Sequence, residues 1–233
     1  MSGRIAFFDV DETLLADKSM LSFWHFWSAW PSGTGRPPVT RPSTGGADRE
    51  TLNRAYFALF AGAYRSSLEA AARQWYARYR GGPQAYLSET LRALRDHQRE
   101  GDEVVLVTGS GAALVQPVAD DLGVRHVLAT EQLADAAGVL TGEVRRPMIG
   151  AAKAEAAAGL IGSLGARARD CWAYGDHATD LAMLSLVGRP VVVGEDPVLA
   201  AHGTGRGWRF LSARTGPRFD RGAVRRECGA PVS

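Results

Sequence analysis

A parallel α/β sheet covered by helices on both faces is the fold this sequence predicts, and three observations predict it. After residue 100, short runs rich in apolar and β-branched residues, such as 103–110 (EVVLVTGS) and 190–194 (PVVVG), alternate with stretches of helical length. These strand runs are apolar almost throughout and do not alternate with polar residues, as is usual for strands buried on both faces. A helical block at 16–80 separates the first strand run from the others, so it is an insertion into the sheet domain. The 233 residues, 45% of them hydrophobic, suffice for one sizeable core with a smaller lobe added.

The first strand is 4–9 (RIAFFD), an apolar run that leads into an acid. Residues 18–30 (KSMLSFWHFWSAW) are aromatic-rich and long enough for a helix. The stretch 31–46 holds four prolines and four glycines, which excludes a continuous helix or strand and predicts a loop, a candidate mobile lid. Helix returns over 48–79, with Leu52, Tyr56, Leu59, Phe60 and Tyr64 at helical spacing. Gly81-Gly82-Pro83 breaks it, and an amphipathic helix covers 84–99. Beyond lie a strand (103–110), a helix to 122, a strand (126–130), a strand or hairpin arm (138–146) and an alanine-rich helix (148–163). A strand (170–176), a helix (178–187), a strand (190–194), a short helix (196–202) and a last strand (207–211) complete the order. The result is a Rossmann-like three-layer core over 1–15 and 81–211, an inserted helical cap over 16–80, and a flexible tail over 212–233 rich in Arg, Gly and Pro.

Composition removes several function classes. The net charge of +2 comes with no basic stripe through the folded part, which argues against a nucleic-acid reader. Two cysteines, Cys171 and Cys228, make neither a disulfide framework nor a zinc pattern; Cys171 sits in an apolar run and reads as a core residue. Asp9 and Asp11 interrupt the apolar start, so no signal peptide is expected, and no apolar run is long enough to span a membrane. The expected location is cytoplasmic. The wealth of alanine, glycine and arginine is that of a GC-rich bacterial genome, where a biosynthetic role is one reading. No motif encodes the oligomeric state; a homodimer is compatible with the sequence.

In open α/β sheets, ligands bind at the carboxyl ends of the strands, and polar residues collect at those ends here. The first strand ends in Asp9-Val10-Asp11-Glu12-Thr13, a second in Thr108-Gly109-Ser110, and a third in Gly175-Asp176-His177-Ala178-Thr179-Asp180. Lys153 opens the helix between the last two. Brought together, these carboxylates repel one another unless a cation offsets them. An all-oxygen ligand set favours magnesium.

In this order the motifs DVDET, VLVTGS, a helix-start lysine and GDHATD resemble those of the haloacid dehalogenase (HAD) superfamily. The likeness runs to about residue 211 and is nearest to the phosphoserine-phosphatase-like branch (subfamily IB), whose helical cap follows the first motif. The resemblance implies a Mg2+-dependent phosphatase acting on a small phosphorylated metabolite. Asp9 would be the nucleophile and Asp11 the general acid and base, with Asp9, the main-chain carbonyl of Asp11, and Asp176 holding the metal. Asp180 would support the site. Thr108, Gly109, Ser110 and Lys153 would bind the phosphate. Rival readings are a phosphotransferase of the same superfamily and a non-catalytic module that binds a phosphorylated metabolite. Asp11 argues for phosphoryl chemistry over dehalogenation.

Bland readings stand beside these. His177 and His25 read as structural, and the aromatics of 23–30 as cap core, with a pocket roof as the sharper alternative. Phosphoserine phosphatases carry a glutamate nine residues after the nucleophile, where this chain has Lys18. A lysine repels an ammonium group, which argues against phosphoserine. Glu12 is expected to point away from the site.

Overall fold

Phe7 and Phe8 are neighbours in sequence, yet they are fully buried on opposite sides of β1 (Ile5–Phe8). Strand side chains alternate between faces, and each face of this strand has its own apolar cluster. Ile5 and Phe7 join Val105, Val107, Ala173 and Val192 against Ala157, Ile161, Met183 and Leu184. Ala6 and Phe8 join Val104, Leu106, Tyr174 and Val191 against Leu94, Leu114 and Val118. Burying a side chain of this size stabilises the fold by about 1.5–3 kcal/mol, and this double burial dictates the unbroken apolar strands.

The computed structural model describes residues 3–30 and 48–216. The predicted loop at 31–46, Cys228 and most of the tail lie outside the described residues. After β1 come the helices α1 (Ser19–Ser28), α2 (Arg49–Ala58), α3 (Arg65–Tyr79) and α4 (Ser88–Arg99). Strand β2 (Glu103–Gly111), helix α5 (Ala112–Leu122) and strand β3 (His126–Thr130) follow. A hairpin of β4 (Gln132–Ala134) and β5 (Leu140–Val144) leads into α6 (Ala151–Ser163). The chain then runs through β6 (Trp172–Gly175), α7 (Leu181–Leu186), β7 (Arg189–Val193), α8 (Pro197–Thr204) and β8 (Arg209–Leu211).

The main sheet has the order β3-β2-β1-β6-β7-β8, and every pairing in it is parallel. Chain order reverses direction at β1: β2 and β3 lie on one side, β6 to β8 on the other. Connections therefore diverge at the carboxyl end of β1 and leave a crevice there. The three-layer α/β fold is as expected.

Three local readings need correction. The stretch 48–79 is two helices, not one. Gly62 breaks it at φ 83°, and the hairpin occupies the gap, with the Gly62 amide donating to Leu140 O at 2.8 Å and the Arg65 amide to Gly138 O at 2.9 Å. Helical periodicity continued across the gap, and the partner strand lay some 75 residues away, so nothing local marked the break. The strand β4 was not foreseen, because three residues carry too little pattern. Residues 214 and 215, expected in the flexible tail, are tied down: the Ser88 amide donates to Arg214 O at 2.9 Å, and Thr215 bridges to Leu87.

The insertion is built on aromatic rings. Phe23, Trp27, Tyr56, Phe57, Phe60, Trp75 and Tyr76 are buried together, and Phe23 meets Trp75 edge to face at 6.0 Å. Phe23 and Trp27 of the α1 aromatic run are thus core residues. His25, expected to pack there, is exposed. At the other end of the sheet, Asp102 is buried and accepts from Arg4 Nε at 2.6 Å and pairs with His97 Nδ1 at 2.8 Å, while His97 Nε2 meets the Tyr174 hydroxyl at 2.9 Å. Asp102→Asn removes the charge that holds this network. We expect it to lower stability by about 2 kcal/mol in urea unfolding, with activity per folded molecule unchanged. An unchanged unfolding midpoint would refute that role.

Candidate active site

Asp9 is the first residue beyond β1, and its amide donates to Tyr174 O of β6 at 3.0 Å. Strand pairing therefore holds it at the carboxyl end of the sheet, between β2 and β6. Lys153 stands in the first turn of α6, where the helix dipole disfavours a cation. Its side chain is buried, and Nζ donates to Asp9 Oδ1 at 2.5 Å and to Asp180 Oδ1 at 2.6 Å. Burial opposes the charge on Lys153, but Asp180 and Asp9 outweigh it and raise its pKa. The lysine is thus held protonated between two acids that are far apart in sequence.

Asp180 reaches this position because Gly175 has no side chain. A Cβ on Gly175 would lie 2.6 Å from Asp180 Cβ, closer than atoms can approach. Asp180 Oδ2 also accepts from the His177 amide at 3.3 Å, and the His177 ring accepts from the Thr179 amide at 3.1 Å. This reciprocal capping fixes the turn Ala178–Asp180, so His177 has the structural role expected of it. Asp176 is oriented by the Thr13 hydroxyl, which donates to its Oδ1 at 2.9 Å. Burial, and then Asp180, push the Asp176 carboxyl up to about 6. Burial likewise pushes Asp9 well above the usual range, against the opposing pull of Lys153, and Asp180, Asp176 and Asp11 add to the rise.

Oxygens of Asp9, Asp176 and Asp180 all lie within 4.8 Å of one another. Three acids thus face one lysine, and the donor set is oxygen only. Both facts fit a hard divalent cation such as Mg2+. The sequence reading gave Asp180 only a supporting part; the structure brings it into this cluster.

Asp11 is turned away from that cluster. Its Oδ2 accepts from Ser110 Oγ at 2.7 Å and its Oδ1 from the Ser19 amide at 2.8 Å. The two serine hydroxyls meet at 2.9 Å. Burial raises the pKa of the Asp11 carboxyl, against the opposing pull of these donors. Ser19 was missed: a serine at a helix start carries no mark of a partner elsewhere in the chain.

The segment Thr108-Gly109-Ser110 lies in an irregular stretch at the end of β2, just before α5. Register with β3 shifts between Thr108 and Gly111, and α5 opens only at Ala112. The Ser110 amide donates to Thr108 Oγ1 at 3.0 Å. Gly109 O accepts from Thr130 Oγ1 and from Asn53 Nδ2 of α2, both at 2.8 Å. The insertion is therefore tied directly to this loop, through a residue that sequence reasoning did not single out. Glu12 points outward as expected and pairs with Lys18 at 3.2 Å. It is the one described non-glycine residue at positive φ, 59°, at the tight turn after β1.

Residues 6–185 match the model of the haloacid dehalogenase-like hydrolases. A Streptomyces azureus protein described as an inhibition of morphological differentiation protein is 34% identical over 227 residues, covering 88% of this chain and 77% of its own. A Mycobacterium tuberculosis protein described as a probable phosphatase is 32% identical over 228 residues, covering 89% and 74%. Among solved structures, a Bordetella pertussis protein of unknown function superposes with a TM-score of 0.77 at 24% identity, covering 92% of this chain and all of its own. A phosphoserine phosphatase in apo form gives 0.67 at 17% identity, covering 92% and 95%. These two likenesses speak to the fold. Sequence match and motif geometry agree over most of the chain, which thus belongs to the haloacid dehalogenase-like hydrolases.

Proposed function

We propose that this protein is a Mg2+-dependent phosphomonoester hydrolase that acts on a small phosphorylated metabolite through a phosphoryl-aspartate on Asp9. The observation that carries this reading is the placement of Lys153 between Asp9 and Asp180, with Asp11 held apart by two serines. Asp9 is then placed to attack, and Asp11, on its own pair of hydrogen bonds, to serve as the acid and base. The description of the Mycobacterium tuberculosis relative as a probable phosphatase supports the same reading.

In the first step a carboxylate oxygen of Asp9 attacks phosphorus, and the ester P–O bond breaks. The leaving oxygen takes a proton from Asp11. In the second step water attacks the same phosphorus, Asp11 takes a proton from it, and the Asp9–phosphorus bond breaks to release phosphate. Lys153 neutralises charge on Asp9 and on the phosphoryl oxygens throughout. Thr108 and the Gly109–Ser110 loop bind those oxygens. Mg2+, held by Asp9, Asp176 and the main-chain carbonyl of Asp11, with Asp180 supporting, would offset the charge of the carboxylates and of the phosphoryl group. The helical insertion would act as a cap that excludes bulk water, and such a cover favours small substrates. Among the described residues no helix is long and apolar enough to cross a membrane.

The test is phosphate release from a panel of sugar phosphates, phosphorylated amino acids, nucleotides, lipid phosphates and an aryl phosphate, with Mg2+ and with chelator. Hydrolysis of at least one compound is expected, with a loss of 100-fold or more, roughly, on chelation. No turnover of any compound, the aryl phosphate included, would overturn the proposal. Turnover that survives chelation would remove the cation from it.

A further inference from the structure

Two buried serines from distant parts of the chain put their hydroxyls 2.9 Å apart: Ser19, the first residue of α1, and Ser110, at the end of β2. Ser110 Oγ also contacts Asp11 Oδ2 at 2.7 Å. An ionised carboxylate can only accept, so Ser110 donates its single proton to Asp11. Ser110 then has only lone pairs to offer, and Ser19 is the donor in the contact between the hydroxyls. The donors run in one direction, from Ser19 through Ser110 to Asp11.

Ser19 holds the same acid a second time. Its amide, one of those left without an intrahelical partner at a helix start, donates to Asp11 Oδ1 at 2.8 Å. Each Asp11 oxygen thus has one donor and keeps a second lone pair for the proton it would exchange with substrate. The first turn of α1 is fixed in turn by the other helices of the insertion. The Tyr56 hydroxyl of α2 donates to Met20 O at 2.9 Å, and Trp75 Nε1 of α3 to Ser22 Oγ at 3.0 Å. Asp11 therefore has little freedom to swing. That matters for a general acid, which works only within hydrogen-bond reach of the atom it protonates.

We infer that Ser19 and Ser110 are positioning residues for Asp11, and that their hydroxyls act as one unit. The inference rests on the phosphatase reading above, in which Asp11 gives a proton to the leaving oxygen. It engages the Ser110 hydroxyl with Asp11 and leaves the phosphate to Thr108, Gly109 and Lys153. An alkoxide is a poor leaving group and needs the proton, whereas a nitrophenolate departs without it. A loosened Asp11 should therefore harm an alkyl ester more than an aryl ester. A general loss of folding or of phosphate binding would harm both alike.

The experiment measures kcat/KM, which covers departure of the leaving group, for nitrophenyl phosphate and for an alkyl phosphate that the wild type hydrolyses. It compares the wild type, Ser19→Ala, Ser110→Ala and the double variant. Melting curves establish which variants fold, and Ser19→Cys and Ser110→Cys, which keep the side-chain size, replace any alanine variant that does not. Each single substitution should lower kcat/KM by about 10-fold for the alkyl ester and by no more than about 3-fold for the aryl ester. The double variant should lose about as much as one single variant, not the product of the two losses. Equal losses on both esters, or no loss on either, would make the hydroxyls structural and overturn the inference. Losses that multiply in the double variant would overturn their action as one unit. In each of these cases the wild type still hydrolyses phosphate esters, so the phosphatase reading stands. No turnover of any ester by the wild type, nitrophenyl phosphate included, overturns both.

Discussion

Asp9→Asn should abolish phosphate release, lowering kcat by about 10,000-fold or more with any substrate the wild type hydrolyses. The substitution keeps the shape of the side chain and an oxygen for Lys153, but it removes the nucleophilic charge. It also relieves crowding. Asp9 is pushed above its usual range by burial and by Asp180, Asp176 and Asp11, so a neutral amide should fold at least as readily as the acid. Loss of activity with a retained melting temperature is therefore the expected pair of results. The measurement is single-turnover phosphate release beside a thermal melt. Acid-quenched protein should carry covalent phosphate in the wild type and none in the variant. Residual hydrolysis within about 10-fold of the wild type would rule out Asp9 as the nucleophile.

Lys153→Met should be the most damaging single change to the fold at this site. The lysine side chain is 5% exposed and the two acids it bonds are 8% and 1% exposed. Removing one member of a buried charged group leaves the others uncompensated, at about 3–5 kcal/mol. Methionine fills a similar volume, so the loss reports charge and not a cavity. Urea unfolding with chelator present should show a drop of that size, and activity should fall as well. Mg2+ should restore more stability to the variant than it adds to the wild type, because a cation at the three carboxylates takes over part of the missing charge. A variant as stable as the wild type in chelator would mean that Lys153 does not organise the acids.

Much of the site could be read from the chain because its residues sit in local frames. Asp9, Asp11 and Thr13 share one strand end, Asp176 and Asp180 share one turn, and each frame has a short motif of its own. Residues whose role depends on another part of the chain were not legible. Ser19 and Asn53 are ordinary helix residues until Asp11 and Gly109 are placed against them. The same holds for the break at Gly62, which depends on a hairpin that begins 70 residues later.

The sequence by itself determined the α/β class, the helices between the first and second strands, and the acids and lysine at the strand ends. Apolar runs, helical periodicity and short motifs are local properties, and burial on both faces of a parallel sheet imprints them directly on the chain. Only the tertiary structure decided which acids share Lys153, which way Asp11 turns, where the register of β2 breaks, and that Asn53 of α2 bonds Gly109. Those outcomes depend on side chains from separate elements meeting within about 3 Å. Distances of that kind are set by packing across the crevice at β1, and no spacing along the chain encodes them.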